Sequence, residues 1–367
     1  MAPGTDPAGS AQDAAARHYA VLQALRDRAG GDPLRADAPT ATINNPRWFS
    51  HANGMLVPRH ARSRLHQRLA AEITSAGQPA PPGARPVAIL LAGPPGSGKS
   101  TSIDDVFSRG DRAITGGLTR SEFTVIDADS IKGRLIDVAR ADGSLEAEIK
   151  PAAVRALEAH GEHFHDLDLS SLVHEESSMI ARLARSDAIA QRKNILLDQV
   201  CSSPTKTADV VSQLDAAGYS VRVVEIHATR EFSLESTFGR YVAAAAQDGS
   251  ARRVPTEVVE SVFNPDGSSR PREAIESLVA CRPSKVSEYR RYEARVLARP
   301  PVLVETGTRT SDGRVVRRRV DAPAPERSTS RPRRTKDEVL AGQRDRARAL
   351  VDGARRARPA GRHGPAR

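Results

Sequence analysis

The sequence predicts an α/β protein of the doubly wound type: a parallel sheet with helices on both faces, led by a helical N-terminal region and followed by a basic C-terminal tail. Three observations carry that expectation. Short apolar runs alternate with helix-length segments from residue 87 onward. The runs are almost continuously apolar, as strands covered on both faces must be. The first run leads straight into GPPGSGKS, a glycine-rich loop that belongs between a strand and a helix.

In chain order, the N-terminal region (1–84) reads as two amphipathic helices. One, over Ala11–Gly31, aligns Tyr19, Leu22 and Leu25; the other, over Arg59–Gly77, aligns Leu65, Leu69 and Ile73. Between them Trp48, the single tryptophan, reads as packed core. The stretch GQPAPPGARP cannot continue a helix and marks a boundary. A catalytic domain (85–310) follows, with strands expected at Val87–Gly93, Phe123–Asp129, Asn194–Val200, Val221–Ala228 and Pro301–Gly307. Residues 311–367 read as the tail. After Val320 its composition is that of a linker, and a helix is expected over 335–358, opened by Thr335 and Glu338 in capping-box spacing.

Composition excludes several classes. No stretch approaches the roughly 18 uninterrupted apolar residues of a spanning helix, and the N-terminus lacks a charged start followed by an apolar run, so a cytoplasmic protein without membrane contact is expected. Two cysteines, Cys201 and Cys281, make neither a disulfide framework nor a zinc site alone and read as small buried residues. The formal charge of +10 is misleading. Residues 314–367 hold 17 Lys and Arg against 6 Asp and Glu, a net +11, so the remainder of the chain nets −1. Nucleic-acid binding is therefore expected only through the tail.

The loop Gly93, Pro94, Pro95, Gly96, Ser97, Gly98, Lys99, Ser100, followed by Thr101, fits the P-loop pattern at each constrained position. Its glycines let backbone N–H groups turn inward around a phosphate at the positive end of the next helix. Lys99 adds a cation for the β- and γ-phosphates, and Ser100 a hydroxyl for Mg²⁺. The loop predicts a nucleotide-binding site, which alone does not separate a kinase from an ATPase or a switch.

Acceptor chemistry needs carboxylates at the same rim. VIDAD puts Asp127 and Asp129 at a strand's carboxyl end, where ligands bind in such sheets. Asp129 reads either as the base that takes the acceptor's proton or as the N-cap of the helix behind it. Asp198, closing NILLD, has the Walker-B placement for Mg²⁺. In LVHEESSMIARL, His174, Glu175 and Glu176 lie in a helix's first turn, equally suited to a dipole-favoured start. His160, His163 and His165 have only loose ligand spacing. Arg240, and Arg252 with Arg253, supply guanidinium groups of the kind that match a transferring phosphoryl group.

In their order, GPPGSGKS, VIDAD, HEESS, NILLDQV and a helix ending in Arg240 followed by ARRVP resemble the zeta toxin family of P-loop kinases, over roughly Arg64–Gly307. The resemblance implies ATP- or GTP-dependent phosphorylation of UDP-N-acetylglucosamine on its amino-sugar 3′-hydroxyl. It implies Asp129 as base, Arg240 and Arg252 as phosphate-stabilising arginines, His174–Glu176 with Asp127 and Asp198 on the substrate side, and an antitoxin protein as partner. Two departures fall on that side: Asp198 stands where the family commonly has Glu, and Ala251 precedes Arg252 where it commonly has Gly, which leaves Arg252 and Arg253 both eligible. Two further readings stay open. One is a P-loop kinase of an antibiotic, nucleoside or polynucleotide end; the other is a nucleotide-dependent DNA-associated regulator acting through its tail.

Overall fold

The structure, a computed structural model, describes residues 7–320; the basic stretch after Val320 and the helix expected over 335–358 lie outside the described residues. Helix α1 (Pro7–Arg26) is followed by a short hairpin, β1 (Phe49–Ala52) and β2 (Met55–Pro58), and by α2 (His60–Ser75). The hairpin was not among the expected elements. Its signal is Asn53-Gly54, both at positive φ, the pair that a tight two-residue turn demands.

The sheet begins with β3 (Val87–Ala92), which feeds α3 (Lys99–Ser108) and the single-turn α4 (Arg112–Thr115). Then come β4 (Phe123–Asp127), α5 (Ala128–Ala141), α6 (Ala152–Glu158), α7 (His174–Ala190), β5 (Asn194–Asp198), α8 (Pro204–Ala216) and β6 (Ser220–His227). The chain continues through α9 (Arg230–Asp248), α10 (Thr256–Glu260) and α11 (Arg270–Ala280) to β7 (Val286–Glu293), β8 (Val302–Arg309) and β9 (Val315–Arg319).

Strand order is β4-β5-β3-β6-β7-β8-β9; the first five are parallel, and β8 and β9 add an antiparallel edge. All six residues of β3 are buried. Ala88, Leu90 and Ala92 face the larger core with α1, α2, α5, α7, α8, α9 and α11, while Val87, Ile89 and Leu91 face the smaller one with α3 and α4. Helices thus cover both faces, as continuous apolarity demands. The chain leaves β3 in opposite directions, to β4 and β5 on one side and β6 on the other, so a crevice opens at the strands' carboxyl ends.

The sheet is mainly parallel, as expected, and holds two strands that the sequence did not announce. Strand β7, VSEYRRYE, is hidden in the sequence by its charges; Tyr289 is buried, and Arg290 is neutralised by Asp111 at 2.7 and 3.1 Å. Strand β9 lies in what reads as tail, so the sheet runs past residue 310 to Arg319. Helices α1 and α2 share the larger core with the sheet, through Tyr19, Leu22, Leu25, Leu69 and Ile73. Cys201 is buried as expected, whereas Cys281 is exposed. No helix among the described residues is long and apolar enough to cross a membrane.

Candidate active site

The glycine-rich loop is shaped by close approach. A Cβ on Gly93 would lie 2.5 Å from the Ile226 carbonyl oxygen and 2.9 Å from Ser97 Oγ, so no larger residue fits between β3 and β6. Gly98, at φ +88°, is the N-cap of α3, and Ser236 on α9 donates to the Gly96 carbonyl at 2.8 Å. Gly93 and Pro94 are buried behind the loop, while Pro95 through Thr101 line a cleft of about 1450 Å³. Ser97 Oγ is buried without a hydrogen-bond partner. Lys99 Nζ donates to the Gly93 carbonyl at 3.1 Å and lies 3.9 Å from Asp198 Oδ1.

At the neighbouring strand ends Asp127 pairs in register with Asp198. Asp127 is the N-cap of α5: its two oxygens accept from the N–H groups of Asp129 (2.8 Å) and Ser130 (3.1 Å). Asp129 is therefore not the cap; Asp127 caps the helix and also lines the cleft. The Asp129 carboxylate is thereby left for the cleft, where Arg252 meets Oδ2 at 2.7 Å and Lys132 donates to Oδ1 at 3.0 Å. Burial alone would raise its pKa, but Lys132, Arg252 and Lys99 together hold it at about 2. Asp198 goes the opposite way, pushed up to about 6 by burial and by Asp127 and Asp129, against the pull of Lys99.

Arg240 and Arg252 both line the cleft, and the Arg240 pKa is lowered by burial and by the Arg252 charge. Arg252 and Arg253 diverge: Arg253 is buried, its guanidinium donating to Gln23 and lying 5.7 Å over the Tyr19 ring. Of the His174–Glu176 segment only His174 lines the cleft, its pKa lowered by burial and by Lys132. Glu175 is exposed outside it. Glu176 is a further correction. Its carboxylate is fully buried and accepts from Arg62 at 2.5 and 2.7 Å and meets His66 at 2.7 Å, so it ties α7 to α2 rather than touching a substrate. His163 and His165 only stack edge to face, with ring centroids 4.8 Å apart, and among the described residues no group of three or more His, Cys, Asp or Glu could hold a metal ion.

Sequence reasoning passed over Lys132, Arg182 and Arg185, which also line the cleft. Lys132 was legible as the i+3 neighbour of Asp129. Arg182 and Arg185 follow His174 along one side of α7, a periodicity readable only once that helix is known to border the cleft.

A strand, glycine loop and helix at the crevice of a mainly parallel sheet, facing carboxylates and arginines, define a P-loop nucleotide-binding protein of kinase-like architecture. Residues 70–291 match the family model described as Zeta toxin, and the chain belongs to the zeta toxin family. Similar solved structures include AvrRxo1-ORF1:-ORF2 with ATP, 18% identical over 81% of this chain and 86% of that one with a TM-score of 0.51. The native AvrRxo1-ORF1:-ORF2 complex is 19% identical over 81% and 84%, with a TM-score of 0.50. A chain of the PezAT chromosomal toxin-antitoxin system of Streptococcus pneumoniae is 16% identical over 63% and 75%, with a TM-score of 0.40. At such identities the likeness extends to the fold. No curated protein matches the sequence.

Proposed function

We propose that the chain is an ATP-dependent phosphotransferase that phosphorylates an alcohol of a nucleotide-linked sugar, with the amino-sugar 3′-hydroxyl of UDP-N-acetylglucosamine as the acceptor to test first. Support comes from the family, from the ATP bound in the AvrRxo1 complex, and above all from one cleft lined by Lys99, Asp129, Arg240 and Arg252. In this reading Asp129 accepts the hydroxyl proton as the alcohol oxygen attacks the terminal phosphorus. The bond from that phosphorus to the bridging oxygen breaks, and the nucleoside diphosphate leaves. The loop N–H groups and Lys99 hold the donor phosphates; Arg240 and Arg252 neutralise charge on the transferring group.

The buried, unpartnered Ser97 Oγ and the glycine cradle fit a bound phosphate chain. Ser100, exposed at the start of α3, and Asp198 are the residues that would hold Mg²⁺; this ion takes one or two carboxylates and fills the rest of its shell with phosphate and water. It supplies charge neutralisation at the phosphates. A wall of Lys132, Arg182 and Arg185 beside the carboxylates suits an acceptor that itself carries phosphate, which favours a nucleotide sugar over a neutral or cationic antibiotic. A protein partner of the antitoxin kind is part of the same reading, since the similar AvrRxo1-ORF1 structure is of a complex with ORF2.

The test is transfer of radiolabel from γ-labelled ATP to UDP-N-acetylglucosamine, with Asp129→Asn beside the native protein. Labelled sugar nucleotide from the native chain and at least a ~100-fold lower rate from the variant are expected. Label released only to water, or an unimpaired variant, refutes the proposal.

A further inference from the structure

Helix α1 lies outside the residues that match the family, yet it grips the segment that carries Arg252. Residues 250–254, between α9 and α10, donate no backbone-to-backbone hydrogen bond among the described residues, and Pro255 has no N–H to donate. Side chains must therefore set the path of this stretch. Arg252 reaches Asp129 on the cleft side at 2.7 Å. Next to it Arg253, which also borders the cleft, donates to Gln23 Oε1, while Gln23 Nε2 donates to Thr256 Oγ1 at 3.1 Å. One turn further along α1, Arg26 pairs with Glu257. Tyr19, Gln23 and Arg26, spaced four and three residues apart on one helix face, thus hold residues 253, 256 and 257 immediately behind Arg252.

We infer that α1 is a brace for the arginine-bearing segment, and that Gln23 is a positioning residue that aims Arg252 into the cleft through Arg253 and Thr256. This rests on the proposed role of Arg252 at the transferring phosphoryl group. A carboxamide presents a donor and an acceptor at fixed positions, and here both are used across a single joint. Gln23 does not itself line the cleft, whereas its partner Arg253 does. The helix keeps independent anchors in Leu22, Leu25 and the 2.8 Å contact of His18 with Asp168, so the fold survives loss of the carboxamide.

The experiment compares Gln23→Leu, which removes both hydrogen bonds at similar volume, with Gln23→Glu, which keeps an acceptor for Arg253. Hydrogen exchange across residues 256–262 is measured alongside kinetics with MgATP and UDP-N-acetylglucosamine. In Gln23→Leu, exchange over 256–262 should rise about tenfold or more while β3 and β5 stay as in the native chain. Its kcat should fall about tenfold with KM for ATP within roughly twofold, and Gln23→Glu should recover most of that loss. Native exchange over 256–262 in Gln23→Leu, or a raised KM with unchanged kcat, overturns the inference. A native chain that transfers no phosphoryl group at all removes the kinase reading, and the exchange result then decides the brace alone.

Discussion

Raising the pH from about 6.5 to about 9 should weaken the docking of α1, because His18 in that helix is protonated across that interval in the folded chain. Burial would lower its pKa, but hydrogen bonding and charge from Asp168 and Glu162 more than reverse this and raise it to about 9 from 6.5. Asp168 lies 2.8 Å from His18 Nε2, accepts from the His165 N–H at 2.9 Å and from the Tyr241 hydroxyl at 3.2 Å, and Glu162 lies 4.0 Å from Nδ1. Tyr241 does not confuse the titration, since burial and Asp168 push its own pKa far above this range. A folded-state pKa above the unfolded value means that the stabilisation is complete below 6.5 and disappears as the pH passes 9. The interval corresponds to about 3 kcal/mol at most, a large share of an ordinary domain's stability. Urea unfolding of the native chain and of His18→Gln at pH 6 and pH 9.5 isolates this contribution, because other titrating groups affect both alike. The native chain should lose about 2–3 kcal/mol more than the variant between the two pH values. Parallel losses would refute the account of α1 docking.

Three further outcomes are expected. Glu176→Ala, which strands the buried Arg62 guanidinium, should cost about 3–5 kcal/mol in urea unfolding; a cost under about 1 kcal/mol would show that the cluster is already solvated. Arg185→Ala should leave the Kd for ATP unchanged and raise KM for UDP-N-acetylglucosamine about tenfold, and an unchanged KM would remove α7 from acceptor binding. Lys132→Met removes the largest of the charges that hold the Asp129 pKa near 2, so the acid limb of the kcat/KM profile should move to higher pH; an unmoved limb would mean that Asp129 is not the group titrating there.

What the sequence made legible is what local chemistry dictates. Gly93 to Ser100 announces itself because a phosphate cradle tolerates few residues, and β3 and the body of β5 do so because strands buried on both faces are apolar along nearly their whole length. Where a tertiary partner decides, the signal is lost. Strand β7 reads as a charged surface segment until Asp111 is brought to Arg290 from 179 residues away. Glu176 looks like a pocket acid until α2 supplies Arg62 and His66. Asp129 reads as a candidate cap in the sequence, and only the turn into α5 shows that Asp127 is the carboxylate that bends back on the backbone.

The division of labour at the strand ends follows from that one turn. Because Asp127 satisfies the first N–H groups of α5, Asp129 is released toward Lys132, Arg252 and Lys99, which keep it ionised and weakly basic without a donor nucleotide. Lys99 and Arg252 are also the cations for which phosphate oxygens compete most directly, so their transfer to a bound donor would leave Asp129 with burial and Lys132 alone. Desolvation raises its pKa, so in the proposed reaction the carboxylate would become a stronger base once a donor is bound. In the proposed reaction Arg252 would be the hinge of this exchange, and the contacts of α1 beside it would then bear on catalysis as well as on stability.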